Sequence, residues 1–303
     1  MSNLSAFLFS SANLTHLRIP FSVLLMPVYL FALAASVATG SIVNWKAAIV
    51  SFVVFHIFMY PASNAFNSFF DRDEESIGGL KTPPKVEAGL WWLALLFDLL
   101  GLLLASLVGL EFFIGATLYC LASRAYSYPK IRLKSKPVLG WLTVFVFQGA
   151  FVFCVLCLGF LGFDSVVEHL PELWLPALAS SLLFGGAYPI TQVYQHDEDE
   201  RRGDLTISRL LGIEGTFLFS FVFSIVGQLA LFVWMLPVVL PIFLLGFAIL
   251  QIYPAYFFSK WWAKVRVDSS WANFEETSKM SQISAWMSNV SFGLLVLAIV
   301  LTS

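Results

Sequence analysis

The sequence predicts an all-α integral membrane protein, a single domain over residues 1–303 built as a bundle of nine transmembrane helices with a cytoplasmic N-terminus. Three observations carry this. The 303 residues are 59% hydrophobic and only 12% charged, against roughly 25% charged in soluble domains. Apolar runs of membrane-spanning length recur from one end of the chain to the other, and the mean hydropathy is +0.82. The basic residues between those runs fall almost entirely on alternate connections, as cytoplasmic loops require. This composition excludes disorder and nucleic-acid binding, and runs this long and continuous cross as helices rather than as barrel strands.

The runs lie at approximately 19–39, 47–69, 90–108, 111–128, 138–161, 173–194, 215–235, 238–258 and 281–302. The first follows Arg18, and the first 17 residues hold no Lys or Arg, which argues against an organellar transit peptide. Arg72, Lys81 and Lys85 follow the second run. Arg124, Lys130, Arg132, Lys134 and Lys136 surround the end of the fourth. Arg201, Arg202 and Arg209 follow the sixth, and Lys260, Lys264, Arg266 and Lys279 fill the last inner connection. With the N-terminus inside, only Lys46 of the 17 basic residues is outside. The lack of a targeting peptide fits a bacterial inner membrane. Cys120, Cys154 and Cys157 all fall within runs and read as small apolar residues rather than a redox or metal pair. The sequon at Asn13 sits on the cytosolic side and carries no weight.

Acidic residues contribute little to topology, so their concentration in two inner loops, about 64–89 and 194–214, asks for another cause. In the first, Asn67, Asp71 and Glu75 stand at i, i+4 and i+8, with Asn64 one turn back. If the second helix continues inward these oxygens share a face, and converging oxygen ligands that leave room for phosphate suit magnesium. In the second, Gln195 and Asp199 are i and i+4, with Asp197 and Glu198 between them and Arg201 and Arg202 immediately after. Gly203 ends that helical turn. Bases beside a metal cluster are expected for a polyanionic ligand. A third inner segment, residues 126–136, is basic and aromatic without an acid; Tyr126 and Lys130 are i and i+4, with Pro129 between them. Diphosphate binding and anionic headgroup binding both fit it. His56 and Asp98 lie within runs, where ionisable groups are functional candidates that pair with each other or serve structure.

These motifs, in this order and on one side of the membrane, resemble the UbiA superfamily of intramembrane prenyltransferases, over nearly the whole chain from Arg18 to the ninth run. The resemblance implies magnesium-dependent transfer of a polyprenyl group from a prenyl diphosphate to an aromatic or other lipophilic acceptor within the membrane. It assigns Asn67, Asp71, Glu75, Gln195 and Asp199 to the metal, and Asp71, Asp199, Lys130 and Tyr126 to catalysis. Lys130, Arg72, Arg201 and Arg202 become the diphosphate contacts. Glu75 and Gln195 depart from the family's usual Asp; Glu keeps the charge, and Gln keeps only an oxygen. Partners so implied are the prenyl diphosphate, the acceptor and membrane lipid. The 31 Phe, 10 Trp and 9 Tyr supply aromatic faces for a cationic allyl fragment, although most serve lipid contact and packing. Two alternatives stay open: a UbiA-type terpene cyclase that uses no external acceptor, and a transporter gated by the charged clusters. Against the transporter, the charges crowd one interface instead of the bilayer midplane.

Overall fold

Apolar composition and the need to close every backbone hydrogen bond inside the hydrocarbon leave the helix as the only element available. The computed structural model describes residues 2–302, with side chains from Leu4 to Leu301, and is helical throughout. Among the described residues no strand forms; a lone bridge pairs Ile77 with Leu80. In chain order the helices are α1 Ser2–Leu8, α2 Ser11–Leu17, α3 Met26–Ala38, α4 Trp45–Asp71, α5 Gly89–Ala105, α6 Leu110–Ser127, α7 Pro137–Leu161, α8 Phe163–Glu168, α9 Leu170–Ile190, α10 His196–Arg202, α11 Ile207–Met235, α12 Pro241–Val267 and α13 Phe274–Thr302.

Six of these, α4, α7, α9, α11, α12 and α13, are long and apolar enough to cross a membrane unaided. The segment Ser11–Leu24 and α3, bent by 43° where Pro27 opens the second helix, form a seventh if counted as one span. Helix α5 is apolar but only 17 residues long, and α6 carries Glu111 and Arg124. Every run expected from the sequence coincides with a helix. The protein is therefore an integral, multi-pass membrane protein.

Two of the long helices are locally widened. In α4 the residues Val53–Met59 form a π-helical turn, ending two residues before Pro61, whose missing N–H cannot close the ordinary ladder. In α7 the residues Phe145–Phe151 do the same, with Gly149 at φ −92°, ψ −111°. Gly149 lies so close to α9 that a Cβ there would meet the Ser181 Cα at 2.4 Å, and the Ser181 hydroxyl accepts from the Ala150 N–H at 2.9 Å. Small residues thus set the α7–α9 approach. The main core runs between α3, α4, α6, α7 and α9 through Phe31, Phe55, Phe112, Phe153, Phe160 and Ala177. A second cluster ties α4 to α5 around Ala65, Phe66 and Leu90. A third ties α9 to α11 and α12 around Ile190, Phe217 and Trp261.

Candidate active site

Helix α4 does not continue to Glu75. It stops at Asp71, where Arg72 turns into the left-handed region at φ 51°. Asn67 and Asp71 therefore share the expected face, while Asp73 and Glu75 lie on the loop beyond. Helix α9 likewise ends before Gln195, which opens the short α10. Asp199 keeps its i, i+4 relation to Gln195 through a backbone hydrogen bond of 2.9 Å, and Gly203 ends α10 at φ 73° as the sequence suggests. The loop after α6 closes the site from a third side.

These loops meet at one end of the bundle, where bases hold Asp71, Asp73, Glu198 and Asp204. The Arg132 guanidinium donates to both oxygens of Asp204, at 2.9 and 2.6 Å, and to Asp71 at 3.2 Å. Lys134 donates to the other Asp71 oxygen and is the foremost positive charge acting on Asp199. Arg202 joins Asp73 and Glu198, both at 2.5 Å. Two partly buried bases thus stitch the first acidic loop to the second. Burial raises Asp199 from the usual carboxylate range to about 6, against the opposing pull of Lys134. Burial also raises Glu198, despite its Arg202 partner. Thr206 donates to Asp199 at 3.2 Å. Tyr126 and Tyr188 share a hydrogen bond of 2.5 Å, within Coulombic reach of Asp199. Asn67 donates to Ser127 at 3.0 Å, leaving its amide oxygen for another partner. Beside this network is a cavity of about 390 Å³ lined by Glu74, Glu75, Lys81, Gln195, Glu198 and Asn273, among others.

The remaining expected residues lie outside this centre. Lys130 is exposed, past the break at Pro129, and no ion pair reaches it among the described residues. Arg72 lies over the Phe69 ring, 5.9 Å from its centroid. Arg201 pairs with Glu75 on the surface, their side chains 62% and 52% exposed. Asp98 pairs with Arg124, which lies over Phe66, and not with His56. His196 is turned to the Ser208 hydroxyl at 2.7 Å. Spacing along one helix missed Arg132, Lys134 and Asp204, because it has no way to register a left-handed turn at Arg132 (φ 42°) that aims this loop at Asp71. The available signal was that residues 126–136 carry bases without an acid beside two loops rich in acids.

A model of the UbiA prenyltransferase family matches residues 24–289. The chain belongs to the UbiA prenyltransferase family. No curated protein sequence matches it at a significant level. Among solved structures, an apo UbiA homologue from Aeropyrum pernix K1 is similar at a TM-score of 0.69 and 15% identity, covering 90% of this chain and 96% of that one. A UbiA homologue from Archaeoglobus fulgidus bound to DMAPP and Mg2+ gives 0.66 and 18%, with 96% and 99% covered. The same homologue with GPP and Mg2+ gives 0.64 and 19%, with 95% and 100% covered. The shared fold is the UbiA fold.

The donors at this UbiA-type site are carboxylate and amide oxygens, a hard set that fits magnesium. Among the described residues no three His, Cys, Asp or Glu side chains converge on one point.

Proposed function

We propose that this protein is a magnesium-dependent prenyltransferase that moves a prenyl group from its diphosphate to a lipophilic acceptor in the bilayer. On this reading the chain crosses the membrane nine times from a cytoplasmic N-terminus, with α5 and α6 as full crossings, and both acidic loops face the cytosol. The observation that carries it is the double stitch between loops more than a hundred residues apart: Arg132 on Asp71 and Asp204, and Arg202 on Asp73 and Glu198. Such a set of alternating charges is complementary to a divalent cation with a diphosphate, the acids meeting the cation and the bases the phosphate oxygens.

Asp71 and Asp199 are the principal metal ligands of this reading, with Asn67, Gln195 and Glu75 as the outer ones. Magnesium bound there supplies Lewis-acid neutralisation of the diphosphate. Lys134, Arg132 and Arg202 exchange their carboxylate partners for phosphate oxygens and stabilise the charge that builds on the leaving group. Lys130, Arg72 and Arg201 stay at the rim and attract the anion. Tyr126, held by Tyr188, borders the ionising carbon. The C1–O bond breaks with its electron pair on the diphosphate, and the acceptor closes on C1 and gives up a proton.

The test is magnesium-dependent diphosphate release from a series of prenyl diphosphates by the protein in nanodiscs, with Asp71→Ala and Asp199→Ala. Release that is lost in both variants supports the reading, and its dependence on added acceptor separates a transferase from a cyclase. Well-folded protein that releases none from any substrate overturns it.

A further inference from the structure

The N-terminal helices α1 and α2 contribute no residue to the proposed site, yet they are built into the charged end of the bundle. The segment from Ile19 to Ala38 already supplies the roughly 20 residues that one crossing needs, so α1, α2 and Arg18 precede the hydrocarbon. Asn13 donates to the carbonyls of Phe7 and Leu8 at 3.0 and 3.1 Å, which ties α2 to the end of α1. Ser10 caps α2 and donates to Glu87 at 2.6 Å. His16 donates through Nε2 to the Pro84 carbonyl at 2.8 Å, and Arg18 to the Gly78 carbonyl at 2.9 Å. Glu87, Pro84 and Gly78 all belong to the arm of the first acidic loop that returns to α5.

The outward side of this pair is apolar and uncharged. Leu4, Phe7, Phe9 and Leu14 are 65%, 41%, 46% and 46% exposed, and residues 4–17 contain no Lys, Arg, Asp or Glu. Large apolar side chains grouped in this way mark an interaction surface. Its place names the partner. Helix α1 lies across the start of α5, where a Cβ on Gly89 would stand 1.9 Å from the Phe7 carbonyl oxygen. Gly89 heads the face of α5 that carries the exposed Trp92, Leu99 and Leu103. With α5 as a crossing, that stripe faces lipid. Trp91 and Trp92, edge-on at 4.5 Å, stand in its first turn, and the amphipathic indole favours the membrane–water boundary. The outward side chains of α1 thus extend a lipid-facing stripe at the level of the headgroups.

We infer that α1 and α2 form an interfacial anchor. It seats Leu4, Phe7, Phe9 and Leu14 among the headgroups and upper acyl chains of the leaflet at the charged end, and braces the first acidic loop against that leaflet. The inference rests on the reading of α5 as a crossing and on no step of catalysis. With no base on the outward side, insertion runs on apolar area rather than on attraction to anionic lipid, so a neutral phospholipid is a sufficient partner.

The test uses the full protein in phosphatidylcholine vesicles, with the photo-reactive p-benzoylphenylalanine at position 4, 7 or 14. The same residue at position 103 is the lipid reference, and at position 85, where the exposed Lys85 stands on the braced arm, the water reference. Irradiation should give protein–phospholipid adducts, read by intact mass, at 4, 7 and 14. Their yields should lie within about twofold of that at 103 and at least about fivefold above that at 85. Yields at 4, 7 and 14 no higher than at 85, or adducts to a second protein chain in place of phospholipid, overturn the inference. Adducts at 4, 7 and 14 without one at 103 support the anchor while refuting the crossing by α5, so the two can fail separately.

Discussion

Replacing Arg132 with alanine tests whether the acids of the site depend on their bases. Its guanidinium serves Asp71 and both oxygens of Asp204, whose side chains are only 3% and 6% exposed. Breaking a buried ion pair from one side costs about 3–5 kcal/mol, since the remaining charge stays desolvated. Here the loss falls unequally. Asp71 keeps Lys134, while Asp204 loses both of its side-chain donors. Arg132 is itself 21% exposed, so water reaches part of the gap and the lower figure, about 3 kcal/mol, is expected. In thermal unfolding followed by tryptophan fluorescence in nanodiscs this lowers Tm by about 5–10 °C. Adding Asp204→Asn removes the orphaned charge and recovers most of the loss. Magnesium with pyrophosphate stabilises Arg132→Ala less than the wild type, because the variant lacks one of the bases that would meet the phosphate oxygens. A Tm within 2 °C of wild type, or a double variant no better than the single, would refute the argument that burial makes these pairs interdependent.

Lys134→Ala weakens prenyl diphosphate binding about tenfold or more while Lys130→Ala stays within about twofold; titration with a non-hydrolysable analogue checks this, and the reverse order would restore the spacing-based choice of Lys130. Asp199 has its pKa raised to about 6 by burial, so the folded protein holds this proton to higher pH than the unfolded chain. Stability is therefore lost as pH rises from about 4 to 6, and the burial penalty is complete at neutral pH. Asp199→Asn removes that penalty and raises Tm at pH 7.5 but not at pH 4; equal shifts at both values would show that the charge is not the cause. Gly149→Ala drives a Cβ to 2.4 Å from the Ser181 Cα and costs about 1–3 kcal/mol, read as a lower Tm; an unchanged Tm would mean that α7 and α9 separate freely.

The helices were legible because hydrophobic length and the sidedness of Lys and Arg report directly on the bilayer, a uniform solvent that acts on every residue in the same way. The membership of the two acidic loops was legible for a related reason: acids crowded at the ends of α4 and α9 have no topological purpose. The partners were not. Reading Asn67, Asp71 and Glu75 as one face assumed an unbroken helix, and Arg72 at φ 51° ends it after Asp71. Tyr126 and Lys130 were paired by the same assumption, and Pro129 lies between them. Asp98 invited pairing with His56 because both are ionisable and intramembrane, yet Arg124, on the neighbouring α6, takes it. Periodicity predicts which side chains share a helix face, but contacts between loops depend on where helices stop.

Those stops have a common form. Among the described residues the non-glycine residues with positive φ are Arg18, Arg72 and Arg132, and each stands where a helix or loop turns at the charged end of the bundle. A left-handed conformation costs a non-glycine residue roughly 1–2 kcal/mol, and glycine would remove that cost. Two of the three show why glycine does not serve. Arg18 spans from the end of α2 to the carbonyls of Gly78 and Asn64, at 2.9 and 3.1 Å, holding the first acidic loop against α4. Arg132 turns its loop so that its own guanidinium and the Lys134 ammonium both reach Asp71. In each case the residue that bends the chain also carries the charge that needs the bend. Glycine at 132 would relax the backbone and abandon Asp71 and Asp204 together, so its net effect should lie close to that of alanine and not above wild type. A glycine variant more stable than wild type would separate the turn from the ion pair.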